Sequence, residues 1–138
     1  MSNSRVDSKA DVEQFLEDLK SILESDSFVI NRDLDILLKK KTESPVDPYT
    51  TANTLAALDF DKSDVCEQLK QLTVCEYAET IIDDRDATWP SFFVFYKNIQ
   101  MRDIYIKVKI RDRQNGKVFC VSFHFARYPK PNPLLYEN

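Results

Sequence analysis

One glycine, Gly116, serves all 138 residues, and it follows an asparagine between two runs of apolar and β-branched residues. This scarcity narrows what the chain can fold into, because glycine is the residue that enters left-handed backbone without steric cost. A glycine-rich phosphate loop and a dinucleotide-binding fingerprint both need several. P-loop nucleotide hydrolysis and Rossmann-type redox chemistry are therefore excluded. What the single glycine favours is a hairpin: Asn115-Gly116 predicts a two-residue type I′ turn.

The segments beside that turn read as strands. Residues 92–97, 104–111 and 118–125 are rich in aromatic and β-branched side chains. Upstream, Val12, Phe15, Leu16, Leu19, Ile22 and Leu23 recur at helical spacing and predict an amphipathic helix over 10–25. Thr50 or Thr51 is placed to cap a short helix carrying Leu55 and Leu58, and Asp61 to cap another carrying Val65, Leu69 and Leu72. A short strand is read at 28–30 and another at 77–82, with residues 1–9 a loose start. Residues 34–41 are ambiguous; as a helix, they would end favourably in Lys39, Lys40 and Lys41 at its C-terminal dipole. The expectation is one α+β domain over 1–138, with helices packed on one face of a small antiparallel sheet. Within it 1–89 is mainly helical, 90–128 forms the strands, and 129–138 is an irregular tail.

Charge divides along the same line. Residues 90–138 hold nine of the 19 Lys and Arg but three of the 23 Asp and Glu, which leaves ten basic against 20 acidic residues in 1–89. A basic, aromatic-rich segment on an acidic chain points to a polyanion site; the plainer alternative is the solvated face of a sheet. No apolar run reaches membrane-spanning length and the N-terminus lacks a signal peptide's apolar core, so the protein is expected in the cytoplasm, away from membranes. Three cysteines without a Cys-x-x-Cys pair, and a single histidine, argue against a zinc site, and no metal or cofactor is expected.

A two-residue turn fixes the register of the last hairpin. Ile110 then faces Val121, Val108 faces Phe123 and Ile106 faces Phe125 on the core side. Lys109 meets Ser122 and Lys107 meets His124 on the other side, with Tyr105 diagonal to His124. That second face would display Tyr105, Lys107, Lys109, Arg111, Ser122 and His124. Such a set suits metal-free RNA cleavage, which needs a base for the 2′-hydroxyl, cations for the phosphorane oxygens and an acid for the leaving 5′-oxygen. Histidine changes protonation near neutral pH, and Lys and Arg hold phosphates. For Lys109 and Arg111 solubility and edge protection are equally open readings. Whether Lys97 shares this face is left open, since both faces of its strand are apolar.

Several short motifs resemble the motility quorum-sensing regulator (MqsR) family of toxins. These are Thr50-Thr51-Ala52-Asn53-Thr54-Leu55 with Leu58-Asp59-Phe60-Asp61, Ile104-Tyr105-Ile106-Lys107-Val108-Lys109, and Val121-Ser122-Phe123. The resemblance covers roughly 50–125. It implies a RelE-like α+β fold and a metal-independent mRNA interferase, the toxin of a toxin–antitoxin pair with mRNA and a cognate antitoxin as partners. Tyr105 and Lys107 match the family's active-site strand. His124 stands where better-known members carry a lysine. Glu79 falls in a Tyr-Ala-Glu where they carry Tyr-Lys-Ser, so Lys97 on the neighbouring strand becomes the candidate substitute. The catalytic set expected is thus Tyr105, His124, Lys107 and Lys97, with Arg102, Lys109 and Arg111 as RNA contacts. Two other readings stay open: a non-catalytic RNA- or protein-binding module using the same face, and a protein-interaction subunit working through its acidic half.

Overall fold

Strand-forming residues close to both ends of the chain meet in one sheet. The computed structural model describes residues 3–138. Six strands, β1 (Ser4–Arg5), β2 (Leu34–Ile36), β3 (Tyr77–Ile81), β4 (Phe92–Ile99), β5 (Arg102–Asp112) and β6 (Lys117–Phe125), lie in the order β1-β3-β4-β5-β6-β2. All neighbours are antiparallel except β2, which runs parallel to β6 along the far edge. Four helices, α1 (Lys9–Leu23), α2 (Ile30–Asp33), α3 (Thr51–Leu58) and α4 (Lys62–Lys70), complete the α+β fold.

The helices begin where side chains can satisfy their free N–H groups. Ser8 caps α1, Thr50 caps α3, and Asp61 with Asp64 forms a reciprocal capping box on α4. Val12, Phe15, Leu19 and Leu23 of α1 bury against one face of the sheet, where the Phe15 ring stacks 3.8 Å from that of Phe93. Ile104, Ile106 and Val108 of β5 and Phe123 of β6 are fully buried on the same side. Apolar burial here is the main source of stability. Near the first edge, a chain of hydrogen bonds from Tyr77 through Thr80 to Asp7 ties the N-terminal segment down, and Tyr136 of the C-terminal tail stacks on Tyr77. Ser4–Arg5 is thus a paired strand within the stretch expected to be loose; residues 1–2 lie outside the described residues.

Three local expectations are corrected. Residues 28–30 form no strand; a single helical turn over Ile30–Asp33 leads into β2 instead. The three lysines do not end a helix but follow this strand into a loop. The tight two-residue turn falls not at Asn115-Gly116 but between β4 and β5, where Gln100 and Met101 both take positive φ (52° and 69°). The β5–β6 turn spans four residues, 113–116, flanked by the pair Asp112 and Lys117. Asp112 accepts hydrogen bonds from the backbone and side-chain N–H groups of Asn115, and only Gly116 takes positive φ there (64°). A side-chain-stabilised wider turn displaces the type I′ geometry.

The register of β5 against β6 changes with it. Tyr105 pairs directly with His124, Ile106 with Phe123 and Lys107 with Ser122. A bulge follows, after which Val108 pairs with Cys120, Lys109 with Phe119 and Ile110 with Val118. The bulge inserts Val121 and moves Val118 and Cys120 onto the core side.

Candidate active site

The face of the sheet turned away from α1 carries a row of rings across three strands. Tyr96 of β4 pairs with Tyr105 of β5, which pairs with His124 of β6. Tyr96 meets Tyr105 edge-on at 5.5 Å, and Tyr105 stacks on the imidazole at 5.3 Å with 18° between planes. Lys40, Arg127 and Tyr128 close the row into a cleft of about 280 Å³. His124 lies at its base, 7% exposed.

The scaffold around this row comes from α3. Beyond Cys120, β6 has lost its outer partner, because β2 ends at Ile36 and its pairing stops there. The Phe123 and Phe125 N–H groups donate to Thr51 Oγ1 (3.1 Å) and Thr54 Oγ1 (3.0 Å) instead. Those two threonines lie one turn apart on the same helix face and hold His124 between their bonds. Asn53 donates from Nδ2 to the Pro45 and Asp47 carbonyls at 2.8 Å, fixing the loop that brings Lys40 over the cleft.

Protonation follows from these contacts. His124 Nδ1 lies 3.0 Å from the Phe125 carbonyl, which can only accept, so Nδ1 carries the proton. In the neutral ring Nε2 then holds the lone pair. Burial lowers the imidazole pKa below its usual value, and the charges of Lys40 and Arg127 act in the same direction. The Tyr105 phenol is pushed up to about 12, chiefly by burial and then by Glu79 and Tyr96, and stays a proton donor. The Lys107 ammonium, two residues along β5, is lowered by burial and by Lys40. Among the described residues neither Lys40 nor Lys107 is ion-paired to a carboxylate; Lys40 makes one long bond, 3.4 Å, to Ser122 Oγ. The site thus sets two lysines without carboxylate partners on the same face as an imidazole and a phenol that burial keeps neutral.

Of the seven residues expected from sequence, the structure brings Tyr105, Lys107 and His124 together on this face. Lys97 is on the other face, because it shares the core side of β4 with Phe93 and Phe95, four and two residues back; its ammonium lies 3.3 Å from Glu76. Arg102 also leaves that side and lies 3.5 Å over the Phe125 ring. Lys109 is on the expected face but buried, 2.9 Å from Asp83, and is not available to a ligand. Arg111 is exposed and pairs with Asp35. The lysine that reaches the cleft is Lys40, whose only signal was its place in a triple-lysine run. Arg127 and Tyr128 carried no sequence signal beyond charge and aromaticity. The Arg127 guanidinium is held by Glu43 and Asp47.

Comparison of the sequence with protein-family models and with curated proteins returns no match. No helix among the described residues is long and apolar enough to cross a membrane.

Proposed function

We propose that this chain is the toxin of a type II toxin–antitoxin pair, an endoribonuclease that cleaves mRNA without a metal ion. The observation that carries the reading is the stacked pair of Tyr105 and His124, with an available imidazole Nε2, beside two lysines that lack carboxylate partners. His124 Nε2 takes the proton of the 2′-hydroxyl as the 2′-oxygen attacks phosphorus. The P–O5′ bond breaks, and the Tyr105 hydroxyl gives its proton to the departing 5′-oxygen. Lys107 and Lys40 neutralise the charge that builds on the phosphorane oxygens. The products are a 2′,3′-cyclic phosphate and a 5′-hydroxyl. The toxin role, and the cognate antitoxin as partner, rest on the family resemblance.

A second reading, an RNA-binding module without chemistry, draws on the low exposure of His124 and on the pairing of Arg127 with two carboxylates. One experiment separates the two. Purified protein is incubated with a long mRNA in EDTA, with His124→Ala and Tyr105→Phe in parallel, and the RNA ends are mapped. Cuts at defined sites with cyclic-phosphate ends are expected, with rates falling about 10²- to 10⁴-fold in His124→Ala and less in Tyr105→Phe. A strict magnesium requirement, or 3′-hydroxyl ends, overturns the mechanism. RNA binding without cleavage, on free or ribosome-bound message, assigns the cleft to the binding module.

A further inference from the structure

The His124 face continues along β5 beyond Lys107 to a second cleft. Side chains on one face of a strand recur about every 7 Å, so Arg111 lies about 20 Å along the strand from Tyr105. Between Arg111 and the β3–β4 loop is a cleft of about 390 Å³, lined by Arg85, Trp89, Pro90, Lys109 and Arg111. Trp89 is 45% exposed at its edge. The Arg85 guanidinium lies 5.4 Å from the indole centroid and the Lys109 ammonium 5.8 Å from it.

This loop is built to hold its tryptophan. Asp83 accepts from Lys109 at 2.9 Å, both side chains being almost fully buried, and also from the Arg85 N–H. Asp86 accepts from the Thr88 N–H and hydroxyl, and the Trp89 N–H donates to the Asp86 carbonyl. These bonds fix the loop backbone that carries the indole above the sheet. A half-exposed aromatic on a braced loop, with the Arg85 guanidinium against it and Arg111 lining the same cleft, matches what single-stranded nucleic acid needs: a ring on which to stack a base and cations for the adjoining phosphates. The Arg111–Asp35 pair is solvent-exposed, so exchanging Asp35 for a phosphate costs little.

We infer that Trp89 and Arg111 form a base-stacking subsite for the same RNA strand that lies in the His124 cleft, several nucleotides from the scissile bond. This rests on the RNA-cleaving reading above. Its substrate is then single-stranded RNA long enough to span both clefts, and Lys109 acts by positioning the loop, not by touching the strand.

Trp89 is the one tryptophan in the chain, so its emission reports the subsite directly. The probes are a dinucleotide and an octanucleotide with 2′-O-methyl riboses, which cannot be cut, each carrying an end label for anisotropy. The octanucleotide is expected to quench Trp89 on binding and the dinucleotide is not. The ratio of octanucleotide to dinucleotide affinity should fall about ten-fold in Trp89→Ala and persist in Trp89→Phe, which keeps a stacking ring. Octanucleotide binding with unchanged Trp89 emission, and an unaltered ratio in Trp89→Ala, overturns the subsite and leaves the His124 reading standing. Failure of both oligonucleotides to bind overturns both.

Discussion

The chemistry proposed for the cleft depends on two side chains that burial pushes in helpful directions. An imidazole with its pKa lowered is neutral, and so able to accept a proton, over a wider range than a free histidine. Cleavage should therefore rise with pH through a midpoint below the ordinary histidine value of about 6.5 and then level off. At the alkaline end the rate should fall as Lys107 loses its proton, at a pH below the ordinary lysine value of about 10.4, because burial and Lys40 both disfavour its charge. A pH–rate profile of kcat/KM measures both limbs. Lys107→Met should remove the alkaline limb along with most of the rate. An acidic midpoint above 6.5 would mean that the imidazole is stabilised as a cation, against the direction its burial sets. The same residue carries a stability consequence. Its folded pKa lies below the unfolded one, so stability is full above about 6.5 and declines as acid charges the unfolded chain first.

At the level of elements, β6 is held by two kinds of partner in succession, a parallel strand and then a helix face. Thr54→Val keeps the shape of the side chain but leaves the Phe125 N–H buried without an acceptor. A loss of about 1 to 3 kcal/mol in unfolding free energy is expected. Cleavage should fall by more than the folded fraction accounts for, because His124 hangs between the two threonine bonds. Chemical denaturation and a rate measured on folded protein check the two parts separately. This scaffold also shows which features could be read from the sequence. The three long C-terminal strands, a helix over 10–25, a cap at Thr50 or Thr51 and a cap at Asp61 follow from periodicity and capping chemistry; the structure contains the strands, runs the helix over Lys9–Leu23 and caps with Thr50 and Asp61. Tyr105, Lys107 and His124 share a face because alternation alone puts them there. The direct Tyr105–His124 pairing was out of reach: it depends on a four-residue turn and on two register shifts, one between Ile110 and Asp112 and one at Val121, that alternation does not announce. Lys40 was hidden for a different reason. Its place over the cleft comes from the parallel pairing of β2 with β6, a contact between segments far apart in sequence.

For the whole molecule, the division of charge takes a different form from the one the chain suggests. Much of the basic segment is matched by carboxylates of the acidic one: Lys109 by Asp83, Arg111 by Asp35, Lys117 by Asp33 and Arg127 by Glu43 and Asp47. What remains unmatched in the cleft is small and local. The Lys109–Asp83 pair, 3% and 1% exposed, is the deepest of these. Burial alone would raise the Asp83 carboxyl, but hydrogen bonds from Lys109 and the Arg85 backbone outweigh it and bring the pKa to about 2. Asp83→Asn should destabilise the fold by about 3 to 5 kcal/mol, because it strands a buried ammonium. Asp83→Leu combined with Lys109→Met should recover most of that loss, and thermal unfolding of the single and double variants measures it. The parallel edge has one more consequence, in the order in which the protein is made. The cleft draws on Lys40, on strands that end only at Phe125, and on Tyr128 of 138 residues. A ribosome must have released the chain past Tyr128 before all of these groups can meet, so a nascent or truncated product that stops short of it carries the basic strand without the complete cleft.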